Sequence, residues 1–267
     1  MLCYPYPSTD EEQFASGTGR ADVSNSANIH RGKLAWHLRS GARNHHNFTS
    51  MAEFVLTDAD RQRRLNVLDY GGGGGQFALV LKSLYPLATP YIVDINDAKL
   101  LDEFRPLNTQ IRFADFEEDA TKFDVIFMND VFEHVSNPLG VLRLLRTKLT
   151  CGDGRVFIDT PRQFWIYPAT ELLWNRLHEK LLRGTVDFDH QQIWSRRSFL
   201  HVVRAAGFGI QKYVETSEFT QPPEFYLDNM KISNRAVRVS GKLLYAVGRS
   251  IAKNKILAVL KPTASQA

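Results

Sequence analysis

Short apolar runs that end in an acid or an amide recur through the middle of this chain, with longer segments between them. The runs lie at residues 66–69, 90–95, 111–114, 123–128 and 155–159 and read as strands. The segments at 76–85, 97–104 and 138–149 read as helices, and residues 48–64 read as one helix leading into the first strand. Strand and helix alternating at these lengths predicts an α/β fold, a doubly wound and mostly parallel sheet with helices on both faces. Ligands of such sheets bind beyond the carboxyl ends of the strands. Those ends are polar here: Asp69 closes the first strand, Asp94 the second, Asp115 follows the third, Asn129 and Asp130 the fourth, and Asp159 with Thr160 closes the fifth. Together they predict a polar rim around one cleft.

Between Asp69 and the helix at 76–85 stand five consecutive glycines, residues 71–75. Each costs about 0.5–1 kcal/mol relative to alanine in a regular element, so the run needs a reason. A backbone turning through positive φ, or a ligand lying against bare main chain, supplies one. No serine, proline or charge run accompanies the glycines, which argues against a tether and for a nucleotide-type binding loop. Gly73, Gly75 and Ala78 also satisfy GxGxxA, so a nicotinamide dinucleotide has to be weighed. Asp69 would crowd its pyrophosphate with negative charge, and the chain holds no YxxxK pair. A cationic, phosphate-free nucleoside such as S-adenosylmethionine fits an acid-rimmed glycine loop better.

Composition sets outer limits. With 267 residues and 43% apolar content the chain can bury a sizeable core. No run approaches the ~18–20 apolar residues of a membrane span, and MLCYPYP lacks a cationic start followed by an apolar block, so the expected location is cytoplasmic. Cys3 and Cys151 have no paired spacing, which points away from a disulfide framework or a zinc site. The net charge of +4 hides an asymmetry, because residues 231–261 hold eight basic residues and no acid. In a helix, Lys231, Arg235, Arg238, Lys242, Arg249 and Lys253 share one face with Ile232, Ala236, Val239, Leu243 and Val247 beside it. Such a basic amphipathic helix packs on its own domain, on a second copy in a homodimer, or peripherally on an anionic membrane surface. No nucleic-acid recognition module is present, and the acidic body disfavours that partner.

Several blocks, in order, resemble the class I S-adenosylmethionine-dependent methyltransferases, in particular the bacterial group with small-molecule, quinone and saccharide acceptors. They are VLDYGGGGG, YIVDIND, IRFADFEE, FDVIFMNDVFEHVSNP, LLRTKLTCGDGRVFIDTP and DHQQIWSRRSFLHVVRAAGF, spread over about residues 65–214. The resemblance implies a Rossmann-like seven-stranded sheet and S-adenosyl-L-methionine as cofactor. Gly71, Gly73 and Gly75 would line its methionyl part, with Asp69 near the ammonium group. Asp94 would accept both ribose hydroxyls, Ile95 would pack on the adenine, Asp115 would take its amino group, and Phe116 would lie beside the ring. Asn129 would complete the cofactor side. Gly72 and Gly74 depart from the family, whose members often carry side chains there.

The implied reaction is methyl transfer to a small-molecule or glycan acceptor, with a hydroxyl as the expected nucleophile. A hydroxyl calls for a base, and histidine suits that role. His190, in FDHQQIW, is the favoured base, and His134 with Glu133, in FEHV, are the further candidates. Asp130 and Asp159 could approach a metal, but no third oxygen ligand is evident, so no metal is expected. The alternatives to this activity are a catalytically silent cofactor-binding scaffold, an activating subunit, or an NAD(P)-binding oxidoreductase. Domain organisation is read as an N-terminal lid and lead-in helix (1–64), a cofactor-binding core (65–217) and a closing strand with the basic helix (218–267). An insert at 161–195, with Phe164, Trp165, Tyr167, Trp174, Phe188 and Trp194, reads as a lid with aromatic walls over the acceptor.

Overall fold

A computed structural model describes residues 43–162, 191–192, 194–216, 223–224, 227, 232–251, 253 and 255–263. The elements in chain order are α1 (Arg43–Val55), β1 (Asn66–Tyr70), α2 (Phe77–Leu84), β2 (Thr89–Val93), β3 (Thr109–Gln110), β4 (Val125–Asn129) and α3 (Pro138–Lys148). Then follow β5 (Arg155–Pro161), α4 (Arg196–Ala205), β6 (Phe208–Thr216), α5 (Arg235–Ile251) and β7 (Lys255–Pro262). The strands form one seven-stranded sheet in the order β3-β2-β1-β4-β5-β7-β6. Strands β1 to β5 pair in parallel, and β7 runs antiparallel to both β5 and β6. The α/β fold expected from the alternation is therefore present, with seven strands.

Period-two alternation in the central strands sorts the core into two layers. Leu68, Ile126, Met128 and Ile158 face a cluster that includes Leu142 and Leu145 of α3 and Phe199 and Val203 of α4. Val67, Val125, Phe127 and Phe157 face the other, with Met51 and Val55 of α1 and Phe77 and Leu81 of α2. Both faces of β4 are thus covered, which is why VIFM reads as an unbroken apolar run. Helix ends are fixed locally. Asn137 Oδ1 accepts the Gly140 N–H at 3.0 Å with Pro138 opening α3, and Ser195 and Ser198 close a reciprocal cap on α4.

Four expectations are corrected. The helix expected at 48–64 stops at Val55 and gives way to a 3₁₀ turn at Asp58–Gln62. Residues 97–104 do not form one helix: the Leu101 N–H, which a continuous helix would use internally, donates to Gly74 O of the glycine turn at 3.3 Å. The third strand lies at Thr109–Gln110 and not at 111–114, because the chain bends into a 3₁₀ turn at Phe113–Asp115. In the tail, the basic helix ends at Ile251, and Lys253 lies beyond it. The strand that completes the sheet follows this helix and is inserted between β5 and β6.

Asp60, 3% exposed, meets Arg155 Nη2 of β5 at 2.7 Å and ties the lead-in turn to the sheet. Burial raises the Asp60 carboxyl, but hydrogen bonds from Thr57 and Arg155 outweigh it and hold it below the usual range. A depressed carboxyl adds stability that is present above the unfolded-state value and lost as pH falls through the folded one. Arg155→Met should therefore lower unfolding stability by about 3 kcal/mol at pH 7, measured by urea titration. The loss should shrink toward pH 3, and a cost independent of pH would argue against the pair.

Candidate active site

The glycine turn links β1 to α2, and its geometry explains its composition. Gly71, Gly73 and Gly75 have φ of 79°, 53° and 80°, a region costly for residues with a Cβ. Gly72 is glycine for another reason: a Cβ there would stand 2.5 Å from Asp69 Oδ2 and 2.9 Å from Ile92 Cγ1. A Cβ on Gly71 would meet Val131, and one on Gly75 would meet Leu100, each at 2.5 Å. Gly73 differs, because nothing lies within 4 Å of where its Cβ would be. The main chain is therefore packed on several sides and bare at Gly73, a cradle suited to a ligand resting on backbone.

Asp94 fixes that cradle from the end of β2. Its Oδ2 accepts the Gly73 N–H at 3.0 Å, its Oδ1 accepts the Asn96 N–H at 2.9 Å, and Lys99 Nζ lies 3.4 Å from Oδ1. Each carboxylate oxygen keeps acceptor capacity beyond these bonds. Asp69 lies beneath the turn. Burial pushes its carboxyl up to about 7, and the negative charge of Asp94 adds to that rise. A cation brought beside these two acids would restore the Asp69 charge.

On the β2–β3 side, Ile95 is 78% exposed and Phe113 is 42% exposed, two apolar side chains left in solvent near the rim. The Phe113 N–H reaches Asp97 Oδ1 at 3.3 Å, tying the two loops together. Asp115 is exposed and held by Arg112 through two hydrogen bonds of 2.7 and 3.0 Å. Its hydrogen bonds from Arg112 keep its carboxyl below the usual range. Phe116 is a core residue, which corrects its expected place beside a ligand. Its ring, 2% exposed, packs on Tyr70 at 5.6 Å and on Phe123 at 6.4 Å, and Lys148 Nζ sits 5.1 Å from its centroid. Sequence position alone does not separate Phe113 from Phe116, and the 3₁₀ turn at Phe113–Asp115 decides which faces outward.

The opposite side of the rim is built where β4, β5 and β7 meet. Asn129 ends β4 opposite Asp159 of β5, and Asp130 follows with φ 50°, an uncommon value outside glycine. That conformation is held by the Asp130 N–H to Asp159 O bond at 3.1 Å. Lys255 Nζ, at the start of β7, lies 3.1 Å from Asp130 Oδ1 and 3.0 Å from Asp159 Oδ2. Burial pushes the Asp159 carboxyl up to about 7 against the pull of Lys255. Burial also works against the Lys255 ammonium, but the two carboxylates outweigh it and hold it well above the usual lysine range. Asp159 Oδ1 is buried with no hydrogen-bond partner.

Glu133, 1% exposed, accepts from Thr160 Oγ1 at 2.9 Å, and burial holds its carboxyl above the usual range. His134 is 39% exposed at the side chain, with Nε2 4.0 Å from Glu133 Oε1. His190 lies outside the described residues, as do Phe164, Trp165, Tyr167, Trp174 and Phe188 of the expected lid. Trp194, the aromatic of that lid which is described, is 4% exposed and stacks on Phe132 at 4.8 Å, so it is a core residue. Lys255 is the site residue that sequence reading missed, since it sits in the basic tail far from every motif. Among the described residues, no group of three or more histidine, cysteine, aspartate or glutamate side chains is placed to hold a metal ion.

A family model described as "Methyltransferase domain" matches residues 43–213. Among solved structures, a Galdieria sulphuraria protein assigned as a sarcosine dimethylglycine methyltransferase superposes with a TM-score of 0.56 at 13% identity, over 83% of this chain and 86% of that one. The geranyl diphosphate C-methyltransferase of Streptomyces coelicolor gives 0.52 at 14% identity, over 80% and 79%. Phosphoethanolamine N-methyltransferase 2 of Haemonchus contortus gives 0.53 at 14% identity, over 82% of this chain and 53% of that one. A search of curated protein sequences finds no match.

The raised Asp69 carboxyl makes a prediction independent of any ligand. Its folded value of about 7 exceeds the ordinary 3.8, so the folded chain holds an extra proton and loses stability as pH rises between those values. Asp69→Asn should raise the thermal midpoint at pH 8 and leave it nearly unchanged at pH 4. An equal shift at both would refute a desolvated charge.

Proposed function

This chain belongs to the methyltransferase-domain family and is an S-adenosylmethionine-dependent methyltransferase, and from that premise we propose that it methylates a hydroxyl of a small molecule or glycan. The observation that carries the cofactor assignment is the bare main chain at Gly73, tied by its N–H to Asp94. Around it, Asp94 receives the ribose hydroxyls with its remaining acceptor capacity, and Ile95 and Phe113 flank the adenine. Asp69 answers the α-ammonium group; Gly71 and Gly75 shape the methionyl cradle. Asp115 and Asn129 border the two ends. When bound, S-adenosylmethionine supplies a methyl carbon on a sulfonium, an electrophile that requires in-line approach and little else from the protein.

The acceptor is assigned to the edge formed by β4, β5 and β7. The similar structures include a C-methyltransferase and an N-methyltransferase by name, so the fold does not choose the atom. An exposed imidazole backed by a buried carboxylate supports oxygen: His134 takes the hydroxyl proton, and Glu133, held by Thr160, steadies the imidazolium. The unpartnered Asp159 Oδ1 supports an acceptor that donates a further hydrogen bond there. His190 is the other candidate base and is tested by the same substitution.

Asp94→Ala should weaken S-adenosylmethionine binding by about 100-fold or more by calorimetry, from the loss of two charge-assisted hydrogen bonds. Unchanged affinity would remove the ribose assignment. Once an acceptor is found by screening hydroxylated metabolites, His134→Ala should slow S-adenosylhomocysteine formation about 10²–10³-fold while cofactor affinity stays within twofold or so. If His190→Ala shows that pattern and His134→Ala does not, the base is His190.

A further inference from the structure

The helix that precedes the last strand presents apolar side chains to solvent. Val237, Val239, Leu243, Leu244 and Val247 of α5 are 48–71% exposed. At ~100° per residue they fall on one continuous side of the helix, while Arg235, Arg238 and Lys242 cluster along its border. The body is met on another side, through Gly241, where a Cβ would lie 2.7 Å from Leu227 Cδ2. Arg238 Nη1 donates to Ile232 O at 2.8 Å and Lys242 Nζ meets Glu224 at 2.6 Å, so the anchoring contacts come from the glycine and basic side. The apolar side is left outward.

We propose that this face of α5 docks on the surface of an anionic lipid bilayer. Charge selects that occupant. The helix holds no acid, and the sequence from 231 to 261 holds eight basic residues and none of the acids. A second copy pairing through the same face would bring two cationic borders together with no carboxylate on either helix to neutralise them. A bilayer with anionic headgroups answers both halves at once: the apolar side chains enter the acyl boundary, and Arg235 on its border meets phosphates while Arg238 and Lys242 also hold the helix to the body. Seventeen residues span ~25 Å along the surface. No helix among the described residues is long and apolar enough to cross a membrane, so α5 lies on the interface.

Docking would also position the site. Only residues 252–254 separate Ile251 from Lys255, whose ammonium bridges Asp130 and Asp159 at the rim. The lipid surface would thus hold the carboxyl edge of β5 close to the headgroups. The inference stands on α5 alone and does not depend on which group is methylated.

The test is sedimentation of the full chain with large unilamellar vesicles. Binding is expected to vesicles of equal parts phosphatidylglycerol and phosphatidylcholine, and to weaken by about tenfold when salt rises from ~0.1 to ~0.5 M. Vesicles of phosphatidylcholine alone should bind about tenfold less. The double substitution Leu243→Glu, Leu244→Glu alters two solvent-facing positions, so the thermal midpoint should hold while sedimentation drops about tenfold or more. No sedimentation of the unaltered chain, or sedimentation untouched by the double substitution, overturns the proposal. So does sedimentation-velocity evidence of a dimer that this substitution splits, since the face would then be a contact between copies.

Discussion

The hydrogen bond from the Gly73 N–H to Asp94 Oδ2 is the contact on which the rest of the cleft depends. It joins the turn after β1 to the end of β2 and fixes where main chain is bare. Steric closure does the rest. Val131 closes over Gly71, Asp69 and Ile92 lie under Gly72, and Leu100 backs Gly75. Five glycines therefore reflect several constraints. Gly71, Gly73 and Gly75 need positive φ, Gly72 makes room for a carboxylate, and Gly73 alone also faces open space. The same turn reshapes its neighbour, since Gly74 O draws the Leu101 N–H out of what would otherwise be a helix.

The other half of the rim depends on sheet topology. Inserting β7 antiparallel beside β5 brings its first residue to the carboxyl edge, and so places an ammonium between Asp130 and Asp159. Without it, three acids would gather at one end of the sheet with no cation among them. With it, the charge is only partly balanced, and the rising carboxyls of Asp159 and Glu133 show how burial disfavours full ionisation there. The glycine-turn side and the edge proposed for the acceptor are thus both acidic, and the first of these suits a cationic donor.

The alternation of strands and helices, the glycine turn and the acids at strand ends were legible in the sequence because each follows from local spacing. Asp69, Asp94 and Asn129 fall where the apolar runs stop, and a strand-end residue points to the rim whichever way the helices pack. What was not legible arises from long-range contacts. Lys255 is separated from Asp159 by most of a hundred residues, and nothing in ILAVLKP distinguishes a strand beside β5 from a continuation of the basic tail. Phe116 carries the same local signal as Phe113, and only packing against Tyr70 and Phe123 sends it inward. Trp194 likewise reads as a lid aromatic until Phe132 is seen beneath it.

The most direct measurement is a crystal structure of the chain with S-adenosylhomocysteine. The account requires the homocysteine part to lie over residues 71–75, with both ribose hydroxyls on the Asp94 carboxylate and the adenine between Ile95 and Phe113. A nucleoside bound elsewhere, or one whose ribose does not touch Asp94, would contradict it.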